Sequence, residues 1–347
     1  MRELTPKLVI VTAICAAAFV EARPRFQTAP AERHLANIRQ LTHGGENAEA
    51  YFSPDGTHLI FQSTRDGRPC DRIFTMKTDG TDLHPISTGT GRTTCGYFYP
   101  GGREVLYAST HGASAECPPK PDFSRGYVWP IYDSYDIFRA NADGSGLRPL
   151  TRTPGYDAEA TIAPDGLIVF TSVRDGDMEI YSMKADGSDA KRLTNRAGPD
   201  GGPFFSWDGQ TVAFRGRPLA PGPEMDDYRA LLQQGLWRPT SLELYLMKRD
   251  GSDLRQLTKL GGANFAPSWH PDGRRLVFAS NVADPKGRDF DVYLINADGS
   301  GLERITYSNT FDGFPMFSPD GKRLVFASNR NAQAEGETNV FIADWKD

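Results

Sequence analysis

A chain of 347 residues that is 39% hydrophobic and 24% charged has the composition of a globular protein and is long enough to bury a sizeable core. Its net charge of −5, with no Lys/Arg run, argues against a nucleic-acid partner, which needs a basic stripe. Gly 35, Pro 25 and 11% aromatics favour many short strands and turns over helices.

The first element reads as an export signal. Arg2 and Lys7 flank the start of the apolar run LVIVTAICAAAFV (8–20), and Ala16/Ala18 or Val20/Ala22 offer cleavage positions. The run is short for a membrane span, and no other segment could cross. Residues 1–22 are therefore expected to be a signal peptide and the mature chain to be periplasmic or secreted; a buried N-terminal helix is the alternative. Cys15 raises a lipoprotein reading, but Ile14 occupies the place where a lipobox needs Gly or Ala.

A turn then recurs along the chain: SPDG (53–56), YPGG (99–102), APDG (163–166), SWDG (206–209), HPDG (270–273) and SPDG (318–321). Each is followed by a β-rich run: HLIFQS, REVLYAS, LIVFTS, QTVAFRG, RRLVFAS and KRLVFAS. A second run and a second Asp-Gly turn follow in five units, as in IFTMKTDG (73–80) and VYLINADG (292–299), each leading to a short third run such as RPLT or ERIT. Aromatic and β-branched residues alternating with polar ones mark half-buried strands, and Asp-Gly supplies the positive φ that a tight hairpin needs. Each unit is thus a four-stranded antiparallel meander. One meander cannot bury both faces; six packed radially can. The expected fold class is all-β, a single six-bladed β-propeller over residues 34–347.

The last unit, NVFIADWKD (339–347), lacks a fourth strand, while HLANIRQLT (34–42) precedes the first PDG unit and has no unit of its own. The N-terminal strand is therefore expected to complete blade six and close the ring.

The pattern L-T…P-x-[WF]-S-P-D-G-x-x-[IVL]-x-F-x-S-x-R followed by [IV]-[YF]-x-[MI]-x-x-D-G resembles the TolB-type six-bladed propeller family, with WD-repeat-like units, across about 34–347. The resemblance implies the fold and says much less about function. TolB itself carries an N-terminal α/β domain, and here only a short segment is expected between the signal and the first blade. Prolyl oligopeptidase-type enzymes also carry propellers, but no G-x-S-x-G elbow occurs in this sequence.

The repeat is broken mainly by two long connections between second and third strands, 110–134 in blade two and 215–240 in blade four. PEMDDYRALLQQGL within the latter predicts a short helix with an acidic first turn and Gly235 as its stop. Both insertions fall on the face opposite the PDG turns, flanking blade three, where they are expected to build a cleft.

On the same face, the residue eight before each PDG aspartate, or its Gly101 stand-in, is Asn47, Thr93, Asp157, Asp200, Asn264 or Asp312. These should ring the channel mouth, either as turns that start the inner strands or as ligands for a Ca²⁺ ion. The residue six before is Glu49, Cys95, Glu159, Gly202, Ala266 or Phe314; Glu49 and Glu159 break the repeat and are acid/base candidates together with His111. Arg65, Arg174 and Arg330 begin the connections on this face and could bind an anion or pair with neighbouring carboxylates. Cys117 is expected to form a disulfide with Cys70 or Cys95, the alternative being a Zn²⁺ site of Cys95, Cys117 and His111. His270 and His58 are expected on the solvated surface.

Three functions fit this reading. The first is a monomeric exported scaffold that binds a protein or polymer ligand on the insertion face. The second is a metal-assisted hydrolase or lyase at the acidic channel mouth, and the third a Tol–Pal-like envelope component.

Overall fold

A computed structural model describes residues 32–347 apart from Asp66, so the signal peptide expected over 1–22 lies outside the described residues. Six four-stranded antiparallel sheets form the blades of a propeller. Their innermost strands are Asn47–Phe52, Thr93–Phe98, Asp157–Ile162, Asp200–Phe205, Asn264–Trp269 and Asp312–Phe317. The outermost strand is only two residues long in blades one to five, as at His84–Pro85 and Glu303–Arg304. In blade six it is the longer Leu35–Gln40, which runs antiparallel to the C-terminal strand Asn339–Trp345, with Ala36 opposite Asp344 and Gln40 opposite Phe341. The N-terminal strand thus closes the ring, as the repeat requires.

The turns work as their sequence says. In blade one the Asp55 carboxylate accepts from the Thr57 N–H at 3.0 Å and from the Ser53 hydroxyl at 2.6 Å, while Gly56 takes φ +68°. The first residue of this turn is buried in blade after blade: Ser53, Ser206 and Ser318 all face inward. His270 holds the same place in blade five and is buried too, contrary to the surface position expected for it. Its bonding differs from the serines', which donate to the turn aspartate and accept from the N–H five residues on: its Nδ1 accepts from the Asp272 N–H at 3.1 Å, and its ring packs edge-on against Phe317 at 4.4 Å.

Blades stack face to face, so both faces of each second and third strand are apolar. Leu106 and Ile137 of blade two, for example, share one cluster with Ile162, Ile168 and Phe170 of blade three. A backbone bond repeats at every blade boundary: the N–H of the first inner-strand residue reaches a carbonyl of the preceding blade. The pairs are Asn47 to Thr338, Thr93 to Asp71, Asp157 to Tyr135, Asp200 to Met178, Asn264 to Leu242 and Asp312 to Phe290, at 2.7–3.1 Å.

Within the 215–240 connection, the helix Pro223–Leu232 starts on a proline, carries Glu224 and Asp226 in its first turn, and buries Met225, Tyr228 and Leu231 on one face. Among the described residues no helix is long and apolar enough to cross a membrane.

Candidate functional site

Every inner strand bends at its third residue. Glu49, Cys95, Glu159, Gly202, Ala266 and Phe314 all take a φ between 50° and 61°, and the pairing register shifts there in each blade. These bulges aim six side-chain positions at the ring axis. A left-handed φ favours glycine, yet only Gly202 supplies one, so the conformational cost belongs to the bulge that all six blades share rather than to the two glutamates.

Three second-strand residues complete the cluster. The position opposite the second inner-strand residue is Ala in blades two, five and six, but Gln62, Thr171 and Arg215 in blades one, three and four. Gln62 accepts from the Thr94 hydroxyl at 2.8 Å and from the Cys95 N–H at 3.1 Å. Thr171 donates to Glu159 at 2.7 Å, and Arg215 Nη2 donates to the other Glu159 oxygen at 2.6 Å. Gly202 makes room for this arm, since a Cβ there would collide with Arg215 Nη1. Blades five and six contribute Ala266, Ala279, Phe265 and Phe314 instead, so one side of the axis is charged and the other apolar.

The axis is stoppered at both ends. Towards the PDG face, Tyr51 of blade one meets Phe204 of blade four edge to face across the channel at 5.2 Å, with Tyr97 at 5.8 Å from Tyr51 and Met316 in the same cluster. Towards the other face the two insertions form a roof. Trp129–Pro130 pairs antiparallel with Leu236–Trp237, joining the blade-two and blade-four insertions in one small ladder. The Arg215 guanidinium lies 5.7 Å from the Trp129 ring and 5.3 Å from Trp237, while Trp129 also meets Phe265 at 5.9 Å.

Burial pushes the Glu49 carboxyl up to about 7; Glu159 adds to the push, while a hydrogen bond from Cys95 and the charge of Arg215 oppose it. Burial, then Glu49 and Glu159, push the Cys95 thiol well up, so it is held as a thiol. The arrangement can hold or release a proton near neutral pH at Glu49, beside the ion-paired Glu159.

The other candidates are placed elsewhere. His111 does not join the two glutamates: its Nδ1 meets the Ser109 hydroxyl at 2.7 Å and its ring packs on Phe138 at 4.2 Å. The first-residue ring does not converge on a cation. Asn47 and Asn264 accept from Ser63 and Ser280 and donate to backbone carbonyls, Asp157 is held by Arg174 at 2.8 Å, Asp200 by Arg196 at 3.1 Å and Asp312 by Arg330 at 2.8 Å. All five are fully buried, and their oxygens serve the blades. Among the described residues no group of three His, Cys, Asp or Glu side chains is placed to hold a metal ion. Arg65, Arg174 and Arg330 lie over aromatic pairs of their own blades, such as Phe170 and Tyr181 beneath Arg174, rather than together at one anion site.

Cys70 is bonded to Cys117 with an S–S distance of 2.06 Å, tying the blade-two insertion to blade one; Cys117 is therefore not a thiolate for zinc. The insertions and the blade-three loop enclose a cleft of about 870 Å³, lined by residues that include Pro119, Lys120, Tyr132, Val173, Arg229 and Leu232.

The family described as the TolB beta propeller domain matches residues 237–346. The chain is 35% identical over 135 residues to a protein TolB homolog of Chlorobium luteolum, covering 33% of this chain and 31% of that protein. It is 28% identical over 141 residues to the Tol-Pal system protein TolB of Bordetella pertussis, covering 40% and 27%. The chain thus spans about a third or less of the length of these two relatives. The solved structure of a putative TolB from Agrobacterium tumefaciens superposes with a TM-score of 0.57 at 19% identity, over 87% of this chain and 91% of that one, a likeness of fold. With six PDG blades and an N-terminal strand closing the ring, the chain is a six-bladed β-propeller whose residues 237–346 match the TolB beta propeller domain.

Proposed function

We propose that this chain is an exported binding scaffold whose ligand, a protein segment, is taken in the cleft between the two insertions. The observation that carries this reading is the Trp129–Trp237 ladder, which turns two separate insertions into one wall beside blade three. The cleft has the size of a specific ligand site, and its lining mixes prolines and Tyr132 with Lys120, Asp122, Asp133 and Arg229. Such a mixture suits an amphipathic peptide better than a uniformly charged polymer. Similarity to a Tol-Pal system protein TolB supports a protein partner in the cell envelope. Export rests on the apolar run at 8–20 and on the disulfide, which persists in oxidising compartments.

The test is affinity capture from an envelope extract with the wild-type chain and with Leu232→Asp, which puts a charge on the cleft wall. A partner held by the wild type and lost by the variant is expected. Equal retention by both would refute the cleft as the binding surface.

A further inference from the structure

The cleft between the insertions holds charges that the rest of the chain leaves unspent. The blade-four insertion carries four arginines, Arg215, Arg217, Arg229 and Arg238. Three have carboxylate partners: Arg215 has Glu159 at 2.6 Å, Arg217 has Glu224, and Arg238 has Asp227 at 3.4 Å. Arg229, which lines the cleft, has none among the described residues, although Asp226 lies one turn before it on the same helix. Nor is it spent as a helix cap, because the last carbonyls of Pro223–Leu232 are already taken. The Arg229 carbonyl accepts from the Gln233 N–H at 3.1 Å, Ala230 from the Gln234 side-chain amide at 2.8 Å, Leu231 from the Gln234 N–H at 2.8 Å and Leu232 from the Gly235 N–H at 3.0 Å. Lys120, on the blade-two insertion, is the other cation of the lining and is likewise without an ion pair among the described residues.

The carboxylates of the same lining do not answer these cations. Asp122 spends both oxygens on Ser124, taking its N–H at 2.8 Å and its hydroxyl at 2.8 Å as the cap of Phe123–Arg125, and Asp133 bridges to neither cation. The rest of the wall is largely apolar: Pro119, Pro121 and Leu232, with the Tyr132 ring fixed by its hydroxyl on the Pro119 carbonyl at 2.7 Å. A guanidinium presents a planar fork of donors that matches a carboxylate, and an ammonium adds charge to it. We infer that the segment taken in the cleft is acidic. It seats a carboxylate, from an Asp or Glu side chain or from a free C-terminus, on Arg229 and Lys120, and lays an apolar side chain against the proline, tyrosine and leucine wall. This rests on the cleft being the ligand site and names what that site selects. One cation comes from each insertion, so the ligand is read by both.

Selection from two random heptapeptide libraries, one displayed with a free C-terminus and one flanked on both sides, tests this without presuming a sequence. Peptides held by the wild type and lost by Leu232→Asp mark the cleft; Gln233→Trp, at an exposed cleft position, serves in its place if Leu232→Asp does not fold. These peptides are expected to be rich in Asp and Glu or to depend on their terminal carboxylate, and the library that yields them tells the two sources apart. Synthetic copies with Asn or Gln for the acid, or with an amidated end, are expected to bind about tenfold or more weakly. Arg229→Met combined with Lys120→Met, both at exposed positions, is expected to abolish that difference. Cleft binders without a carboxylate, or equal affinity for the acid and its amide, would overturn the inference while leaving the cleft as the ligand site. Recovery of no peptide that the cleft variant loses would overturn both.

Discussion

Trp129 and Trp237 sit on insertions from blades two and four, more than a hundred residues apart, yet their backbones pair and their rings meet edge to face at 5.6 Å. Trp237 is 2% exposed and lies under the roof against Met225, Tyr228 and Leu242. Trp237→Ala is expected to cost about 3–5 kcal/mol, the range for truncating a buried aromatic, and to be read as a lower unfolding midpoint. Trp129→Ala, at a half-buried position, is expected to cost less.

The ring closes through backbone bonds, among them the Leu41 N–H to the Val340 carbonyl at 2.8 Å. Leu41→Pro removes that donor at the seam between first and last strands. A loss of about 3 kcal/mol is expected in denaturant melts, with faster proteolysis of the N-terminal strand. An unchanged midpoint would mean that the seam contributes little.

Cys70 and Cys117 close a loop of 47 residues. Chain-entropy reasoning gives this bridge about 2–4 kcal/mol. Cys117→Ser, or reduction of the wild type, is expected to lower the unfolding midpoint by a matching amount and to loosen the insertion that walls the cleft.

Arg330 holds Asp312 at 2.8 Å and Glu32 at 3.0 Å, and Asp312 is fully buried. Arg330→Ala leaves that carboxylate without its cation, so a loss of about 3–5 kcal/mol is expected. Arg330→Met should cost as much, because the charge rather than the stem is what Asp312 needs. If Arg330 served only a ligand, both variants would keep the wild-type melting temperature.

The Glu49 carboxyl titrates at about 7 in the fold against 4.5 in an ordinary chain. A raised folded-state pKa means that the native state holds the proton more tightly. The contribution is full below about pH 4.5 and is lost as pH rises through 7. Wild-type stability should therefore fall relative to Glu49→Gln by about 1–3 kcal/mol between pH 5 and pH 8. Parallel melts of the two proteins over that range check the sign; a flat difference would place Glu49 in ordinary solvent.

The repeat made the architecture legible from sequence. Asp-Gly turns with their positive φ, period-two strands, and an unpaired strand at each end admit one arrangement in which every strand finds a neighbour. These signals are local, or are counts, and both survive in one dimension. The bulge residues were legible as well, because Glu49 and Glu159 depart from the repeat at a fixed offset from the turn. The strand-two departures Gln62, Thr171 and Arg215 sit in the aligned runs HLIFQS, LIVFTS and TVAFRG, where the matching letter is otherwise Ala, and could have been found the same way.

What only the tertiary structure decided is which of these residues meet. Equal offsets in six blades do not say that the first-residue ring spends its oxygens on neighbouring strands, or that Arg215 reaches the axis because blade four places Gly202 there. Nor do they separate His111 from Glu49, since both are assigned to the same face. The two insertions carry no repeat to align, so nothing in the sequence pairs Trp129 with Trp237. Contacts between segments far apart in the chain depend on side-chain length, on the room left by a missing Cβ and on which polar group is already satisfied, and those are settled only when the ring is closed.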